Sequence, residues 1–302
     1  MKIESGQNKT HLVSSPINWY PGHMTKARRA MEEDLKLVDM ILEIRDARIP
    51  YASLNPDIGE LGRGKRRLIL LNKADLADEA LTAKWIEALS LQNVTAAAAD
   101  SRSTAGVKAV RRLLDQLSEE KAKKDKARGI VNRPARIMVA GIPNVGKSTL
   151  INSLAGRASA KTGDKPGVTR GNQWIRLGKS LELLDTPGIL WPKFEDPAVG
   201  IHLALTGSIN DDILPAEDLA AEGLVIIGKR YPQSLAGKYG ELPDDPYEAL
   251  VHIAVLRKLL KKGGEPDTEK AAARFLDDLR KGRLGRVTLE DAPDREEMKH
   301  DG

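Results

Sequence analysis

An α/β fold with a parallel sheet, joined to a helical region, is predicted by three features of this 302-residue chain. Short apolar runs alternate with helical stretches through the first part of the chain. A glycine-rich turn of the form G-x-x-x-x-G-K-[ST] stands between one such run and a helix start. Beyond about residue 200 the apolar residues recur at helical spacing.

The elements follow in order. Residues 1–16 are polar and expected to be flexible. Between 17 and 117, the runs Met40-Ile41-Leu42-Glu43-Ile44, Leu68-Ile69-Leu70-Leu71 and Val94-Thr95-Ala96-Ala97-Ala98 each precede a polar turn, as strand–loop–helix units do. Residues 118–135 are charged and lack a continuous apolar stripe, which reads as a linker or a frayed helix end. Arg136-Ile137-Met138-Val139-Ala140 is a further buried strand. A hairpin is expected from 172–177 and 181–184 around Gly178-Lys179. Residues 246–262 carry Leu250, Ile253, Ala254, Leu256, Leu259 and Leu260 on a broad apolar face, with Pro246 in the first turn of a helix. In 268–281, Ala272, Phe275, Leu276 and Leu279 recur at helical spacing behind Asp267 or Thr268 as the N-cap. The expected division is a tail over 1–16, an α/β domain over 17–200 and a helical domain over 201–302.

Composition narrows the function classes. Hydrophobic residues make up 41% of the chain but aromatics only 4%, so aliphatic side chains must fill the core. Cysteine is absent, which excludes disulfides, thiolate nucleophiles and Cys-based zinc sites. No run of about 18 apolar residues is present, so no membrane-spanning helix is expected. The N-terminus has no apolar core of the signal-peptide kind, and Glu4 with a lack of arginine argues against a mitochondrial presequence. A cytoplasmic protein with no membrane partner follows as the expectation. The net charge is +5 with a pI near 9.2, a mild pointer to a polyanionic partner. That excess is local: residues 101–136 hold 11 Lys/Arg against 4 Asp/Glu.

Gly141-Ile142-Pro143-Asn144-Val145-Gly146-Lys147-Ser148 follows the strand at 136–140 and runs into Thr149 and a helical start. In that setting the glycines let backbone N–H groups approach phosphate oxygens, and the helix N-terminus adds partial positive charge. Lys147 supplies a cation to the β and γ phosphates, and Ser148 offers a hydroxyl to Mg²⁺. Asp185-Thr186-Pro187-Gly188 comes 38 residues after Lys147, directly after an apolar strand. Asp185 at that strand end can hold Mg²⁺ through water, and the Gly188 N–H can sense a γ-phosphate. Between them, Lys165-Pro166-Gly167-Val168-Thr169 is a loop whose Thr169 can complete the Mg²⁺ shell, with Thr162 as a weaker competitor.

The base reader lies upstream. Asn72-Lys73-Ala74-Asp75 closes an apolar strand. The Asp75 carboxylate can accept from the N1–H and exocyclic amine of guanine, which adenine cannot offer. Lys73 can lie over the base and Asn72 can brace the cradle. Asp100 and Ser101 follow the next strand, where Ser101 and nearby N–H groups can contact the base.

The base reader thus precedes the phosphate cradle, the reverse of a Ras-like GTPase. The chain resembles the circularly permuted GTPases, most closely the ribosome biogenesis GTPase A family. The resemblance runs from Ile17-Asn-Trp-Tyr-Pro-Gly-His-Met-Thr-Lys-Ala-Arg-Arg29 through Asp46-Ala-Arg-Ile-Pro50 and the three nucleotide motifs to Leu284-Gly-Arg-Val-Thr-Leu-Glu290. It implies a P-loop GTPase fold in permuted order with a C-terminal all-helical domain that contacts ribosomal RNA. It also implies GTP hydrolysis to GDP coupled to late maturation of the large ribosomal subunit precursor, with ribosomal proteins as further contacts. A monomer, slow alone and stimulated by the subunit, is expected. The alternative is a nucleotide-gated RNA-binding protein with negligible hydrolysis.

The position after D-x-x-G, where many GTPases hold a water-orienting Gln, is Ile189. His23 is the candidate substitute, because a neutral imidazole can orient water; its other reading is packing or RNA contact beside Arg28 and Arg29. Asn144 either helps ligate K⁺ beside the phosphates, as in related GTPases, or caps the loop backbone. Arg257, Lys258, Lys261 and Lys262 are expected on one helix and Arg280, Lys281, Arg283 and Arg286 on the next, as phosphate-contacting clusters or as solvated faces.

Overall fold

A computed structural model describes residues 24–92, 94–130, 133–156, 173–188, 190, 196–209 and 214–293. The expected tail, His23, Thr162, Thr169 and Ile189 lie outside the described residues.

Among the described residues six strands form one sheet in the order β3-β2-β1-β4-β6-β5. They are β1 (Met40–Asp46), β2 (Arg66–Asn72), β3 (Thr95–Ala99), β4 (Ala135–Ala140), β5 (Gln173–Leu177) and β6 (Leu181–Asp185). All neighbours are parallel except β5 and β6, the expected hairpin. β1 and β6 are buried along their whole lengths, as a sheet covered on both faces requires. In chain order the strands build outward from β1 to β3 and then resume at β4 on β1's other side. That reversal at β1 and β4 is where an open α/β sheet leaves a crevice at its carboxyl ends.

The covering helices include α1 (Met24–Leu37), α2 (Pro56–Leu61), α3 (Glu79–Leu91), α4 (Thr104–Ala127) and α5 (Lys147–Ala155). Of the two expectations for 118–135, a linker or a frayed helix end, the linker is corrected: α4 runs on to Ala127, with Ser118 buried at the start of the tract. Lys121 then pairs with Asp125 and sits 3.6 Å from Asp39, which anchors the distal turns.

The remaining helices are α6 (Pro197–Leu205), α7 (Ala216–Arg230), α8 (Pro232–Tyr239), α9 (Pro246–Leu256) and α10 (Thr268–Arg280). Asp245 and Asp267 cap α9 and α10 through backbone N–H groups. α9 is shorter than expected. Lys258 turns left-handed at φ 55°, and the chain then reverses through 261–265, with Leu260 bridged to Pro266 and the Asp267 N–H bonded to the Leu259 carbonyl. One buried hydrophobic cluster runs from the sheet (Leu42, Leu70, Val139) into these helices (Leu219, Leu250, Phe275). The segment after α10 returns to the sheet side: the Val287 N–H bonds to the Leu76 carbonyl and the Leu289 N–H to the Arg48 carbonyl. The Glu290 carboxylate there accepts the N–H groups of Tyr51 and Ala52 and meets His202 Nδ1 at 2.9 Å.

Candidate nucleotide-binding site

Two loops leave the carboxyl ends of β2 and β4 and are locked together by one side chain. Asn72 Nδ2 donates to the Val145 carbonyl at 2.7 Å, and its Oδ1 accepts the Ser101 N–H at 3.1 Å. Asn72, Ser101 and the 141–148 turn are thereby one unit. The turn leaves no space for larger residues: a Cβ on Gly146, at φ 98°, would lie 2.3 Å from Asn72 Nδ2. Val145 is fully buried, and Ser148 and Thr149 are half-buried on the first turn of α5.

Lys147 is buried and donates to the carbonyls of Gly141 at 3.0 Å and Ile142 at 2.8 Å. Burial lowers its pKa to about 8. Asp185 ends β6, where burial raises its pKa to about 6, partly opposed by Lys147. Among the described residues its buried Oδ1 has no hydrogen-bond partner. Thr186 Oγ1 donates to the Val139 carbonyl at 2.9 Å and pins the loop to β4. Gly188 lies against the cradle: a Cβ there would be 2.8 Å from Lys147 Nζ and 2.9 Å from the Pro143 nitrogen.

At the other loop, Lys73 is left-handed at φ 58°, and the Ala74 N–H bonds to the Ala99 carbonyl at 3.2 Å. Lys73 Nζ lies 2.9 Å from Asp46 Oδ2, a fully buried carboxylate that Arg48 also grips through Nε and Nη2. These cations hold the Asp46 carboxyl well below the usual range despite its burial. Asp75 Oδ1 is buried without a partner among the described residues, while Oδ2 accepts from Arg102. Arg102 is itself held by Asp100 Oδ1.

An unpartnered buried carboxylate oxygen carries a desolvation cost that a ligand's donors or a cation can relieve. Asp75 and Asp185 each expose that demand, one at the base-reading loop and one beside the cradle. The donors fit a nucleotide with Mg²⁺, which usually binds through one or two carboxylates plus substrate phosphates. Among the described residues no cluster of three His, Asp or Glu side chains could hold a metal alone.

The family profile described as a 50S ribosome-binding GTPase matches residues 136–221. Its match starts at β4, so the base-reading strands lie upstream, as permuted order requires. Ribosome biogenesis GTPase A of Bacillus cereus is 48% identical over 276 residues, covering 91% of this chain and 93% of the relative. The chain belongs to the ribosome biogenesis GTPase A family. The Thermotoga maritima member of that family is 34% identical over 277 residues, covering 91% of this chain and 94% of the relative. Two solved structures are similar across nearly all of their length. GDP-bound YlqF has a TM-score of 0.64 at 30% identity, covering 88% of this chain and all of that one. GNP-bound YlqF from T. maritima has a TM-score of 0.63 at 31% identity, covering 89% and 99%. As a member of that family, this chain is a GTP-binding protein with circularly permuted motifs.

Family membership leaves several side chains to be placed by geometry. Asn144 Nδ2 donates to the Gly207 carbonyl at 2.8 Å, beyond α6, which neither sequence reading of Asn144 contained. The two basic clusters are not helix faces as expected. Arg257 is the C-cap of α9, and Lys258, Lys261 and Lys262 lie past its end. In the second cluster Lys281 and Arg283 pair with Asp277, Arg283 also with Asp278, and Arg286 with Glu79. Arg280 is spent on the carbonyls of Ala204 and Leu205. Asp46, Arg48 and Arg102 were missed as site residues. Their only signal was the Asp46-Ala-Arg-Ile-Pro stretch and the position of Arg102 beside Ser101.

Proposed function

We propose that this chain hydrolyses GTP to GDP and phosphate and acts in late maturation of the large ribosomal subunit, in the cytoplasm, binding the precursor and its rRNA. The observation that supports this reading is the Asn72 junction, which ties the loop bearing Asp75 to the 141–148 turn at the carboxyl ends of β2 and β4. The 17–200 portion would form the GTPase unit and 201–302 the ribosome-contacting unit.

In this reading Asp75 accepts the guanine N1–H and amine, Lys73 covers the base, Ala74 shapes the turn, and Asp100 and Ser101 flank the base. Backbone N–H groups of 144–149 (Asn144, Val145, Gly146, Lys147, Ser148, Thr149) hold the phosphates. Lys147 leaves its two carbonyls for the β and γ phosphates, and the Gly188 N–H meets the γ-phosphate. Ser148, Thr169 and Asp185 would hold Mg²⁺, which would supply positive charge to offset that of the phosphates. Water attacks the γ-phosphorus and the bond to the bridging oxygen breaks, with GDP as leaving group. Ile189 cannot orient that water, so His23 takes the role, and turnover without the subunit is slow. K⁺ at Asn144 would add charge where an arginine finger is lacking.

Turnover with and without large subunits, in KCl and in NaCl, tests the reading. Stimulation by subunits is expected, with loss on His23→Ala. Absence of any stimulation favours the nucleotide-gated RNA-binding alternative, for which Ile189 is the supporting feature. Equal rates in KCl and NaCl remove K⁺.

A further inference from the structure

A hydrogen-bonded span through the C-terminal helices joins the two nucleotide motifs. It starts at Asn144 of the cradle, whose amide donates to the Gly207 carbonyl at 2.8 Å. Gly207 is left-handed at φ 73°, and a Cβ there would be 3.3 Å from Arg280 Nε. The Arg280 guanidinium donates to Leu205 and Ala204 carbonyls at 3.2 and 2.7 Å. Both lie at the C-terminal end of α6, where a cation is favoured, and the Ala204 carbonyl also accepts the Gly207 N–H at 3.0 Å. The Arg280 carbonyl accepts from Arg48 Nη1 at 3.4 Å. Arg48 grips Asp46, and Asp46 holds Lys73 of the base reader. A second contact lies alongside: a Cβ on Gly282, at φ 68°, would be 2.6 Å from Leu76 Cδ2, one residue beyond Asp75.

We propose that Arg280 is a positioning residue for guanine-nucleotide binding, acting through Gly207 on Asn144 and through Arg48 and Asp46 on Lys73. The α6–α10 junction then completes the nucleotide site, although it contains none of the nucleotide motifs. By linkage, whatever docks on the C-terminal helices and shifts that junction changes nucleotide affinity by the same factor that nucleotide changes docking.

The test compares Arg280→Met, which keeps the aliphatic stem, with Phe275→Leu, which loosens the same helix without touching the span. Phe275 is fully buried in the core. Fluorescent GDP titrations are run well below both melting temperatures. Arg280→Met is expected to weaken GDP by about fivefold or more, with Arg280→Lys intermediate and Phe275→Leu within about twofold of wild type. Equal losses in the Met and Leu variants, or none in the Met variant, overturn the proposal. Should Arg280→Met fail to fold, hydrogen exchange on the wild-type chain decides. GDP is expected to slow exchange at 204–208 and 279–283 as well as in the motifs, and protection confined to the motifs overturns it.

Discussion

Arg102 Nη2 donates to Asp75 Oδ2 at 2.6 Å, while the buried Asp75 Oδ1 has no hydrogen-bond partner among the described residues. A guanidinium fork presents the same paired N–H donors as the edge of guanine. The base reader therefore carries an internal competitor on one oxygen and an open demand on the other. Arg102 is 62% exposed, so its hold on Asp75 is worth no more than about 1 kcal/mol. Guanine can displace it, and Asp100 retains the displaced side chain nearby.

Removing the competitor should tighten binding. Arg102→Ala is expected to lower the GDP dissociation constant by about two- to fivefold without changing the melting temperature. A fluorescent-nucleotide titration checks this. Weaker binding would mean that Arg102 holds the base instead of blocking it.

Asp75 sets the identity of the base. Asp75→Asn replaces an acceptor with a donor and should cost GTP at least about a hundredfold, with xanthosine triphosphate gaining in proportion. Competition between the two nucleotides reads the outcome, and unchanged GTP affinity refutes the assignment.

Asp185 trades stability for ligand binding. Its folded pKa, about 6, lies above the ordinary 3.8, so ionisation in the fold is disfavoured. That penalty is full above pH 6 and vanishes as pH falls toward 4. Asp185→Asn should therefore stabilise the nucleotide-free protein at pH 7.5 by about 1–3 kcal/mol, with the gain shrinking at lower pH. The same variant should weaken nucleotide in Mg²⁺ by about tenfold or more. Thermal melts across pH, with and without nucleotide, separate the two effects.

The charged tract divides by position on α4. Lys121 has a side chain only 14% exposed and is paired with Asp125 near Asp39, so Lys121→Gln should lower the melting temperature. Lys123, Lys124 and Lys126 are exposed, and changing all three to Gln should leave folding and GTP binding intact. Salt-resolved co-sedimentation with large subunits should then show weaker binding and a shallower salt dependence. Unchanged binding would make the tract a solvated helix face.

Short-range patterns carried much of this molecule. The strands at 40–46, 66–72, 95–99 and 135–140 and the 173–185 hairpin are apolar runs whose period and flanking turns survive any tertiary arrangement. Pro246 and Asp267 mark helix starts because capping is settled within one turn. The motifs at 72–75, 141–148 and 185–188 are legible because phosphate and guanine chemistry demand particular residues at adjacent positions.

Two expectations are altered by partners that a residue count omits. The 118–135 tract, legible as a linker or a frayed helix end, is helix as far as Ala127, with Ser118 buried and Lys121 held by Asp125 and near Asp39. Arg280, Arg283 and Arg286 read as a basic patch because charge counts omit partners. Asp277, Asp278 and Glu79 neutralise two of those arginines, and two carbonyls of α6 take the third.

Linear order alone thus established the fold class, the three nucleotide motifs and their permuted sequence, since each depends on residues a few positions apart. Tertiary structure decided how those motifs are held. Asn72 reaches Val145 across 73 positions, and Arg48 reaches Arg280 across 232. Such pairings have no local signature, because a hydrogen bond of about 3 Å between distant residues exists only once the sheet and the helices have been brought together by burial of their shared core.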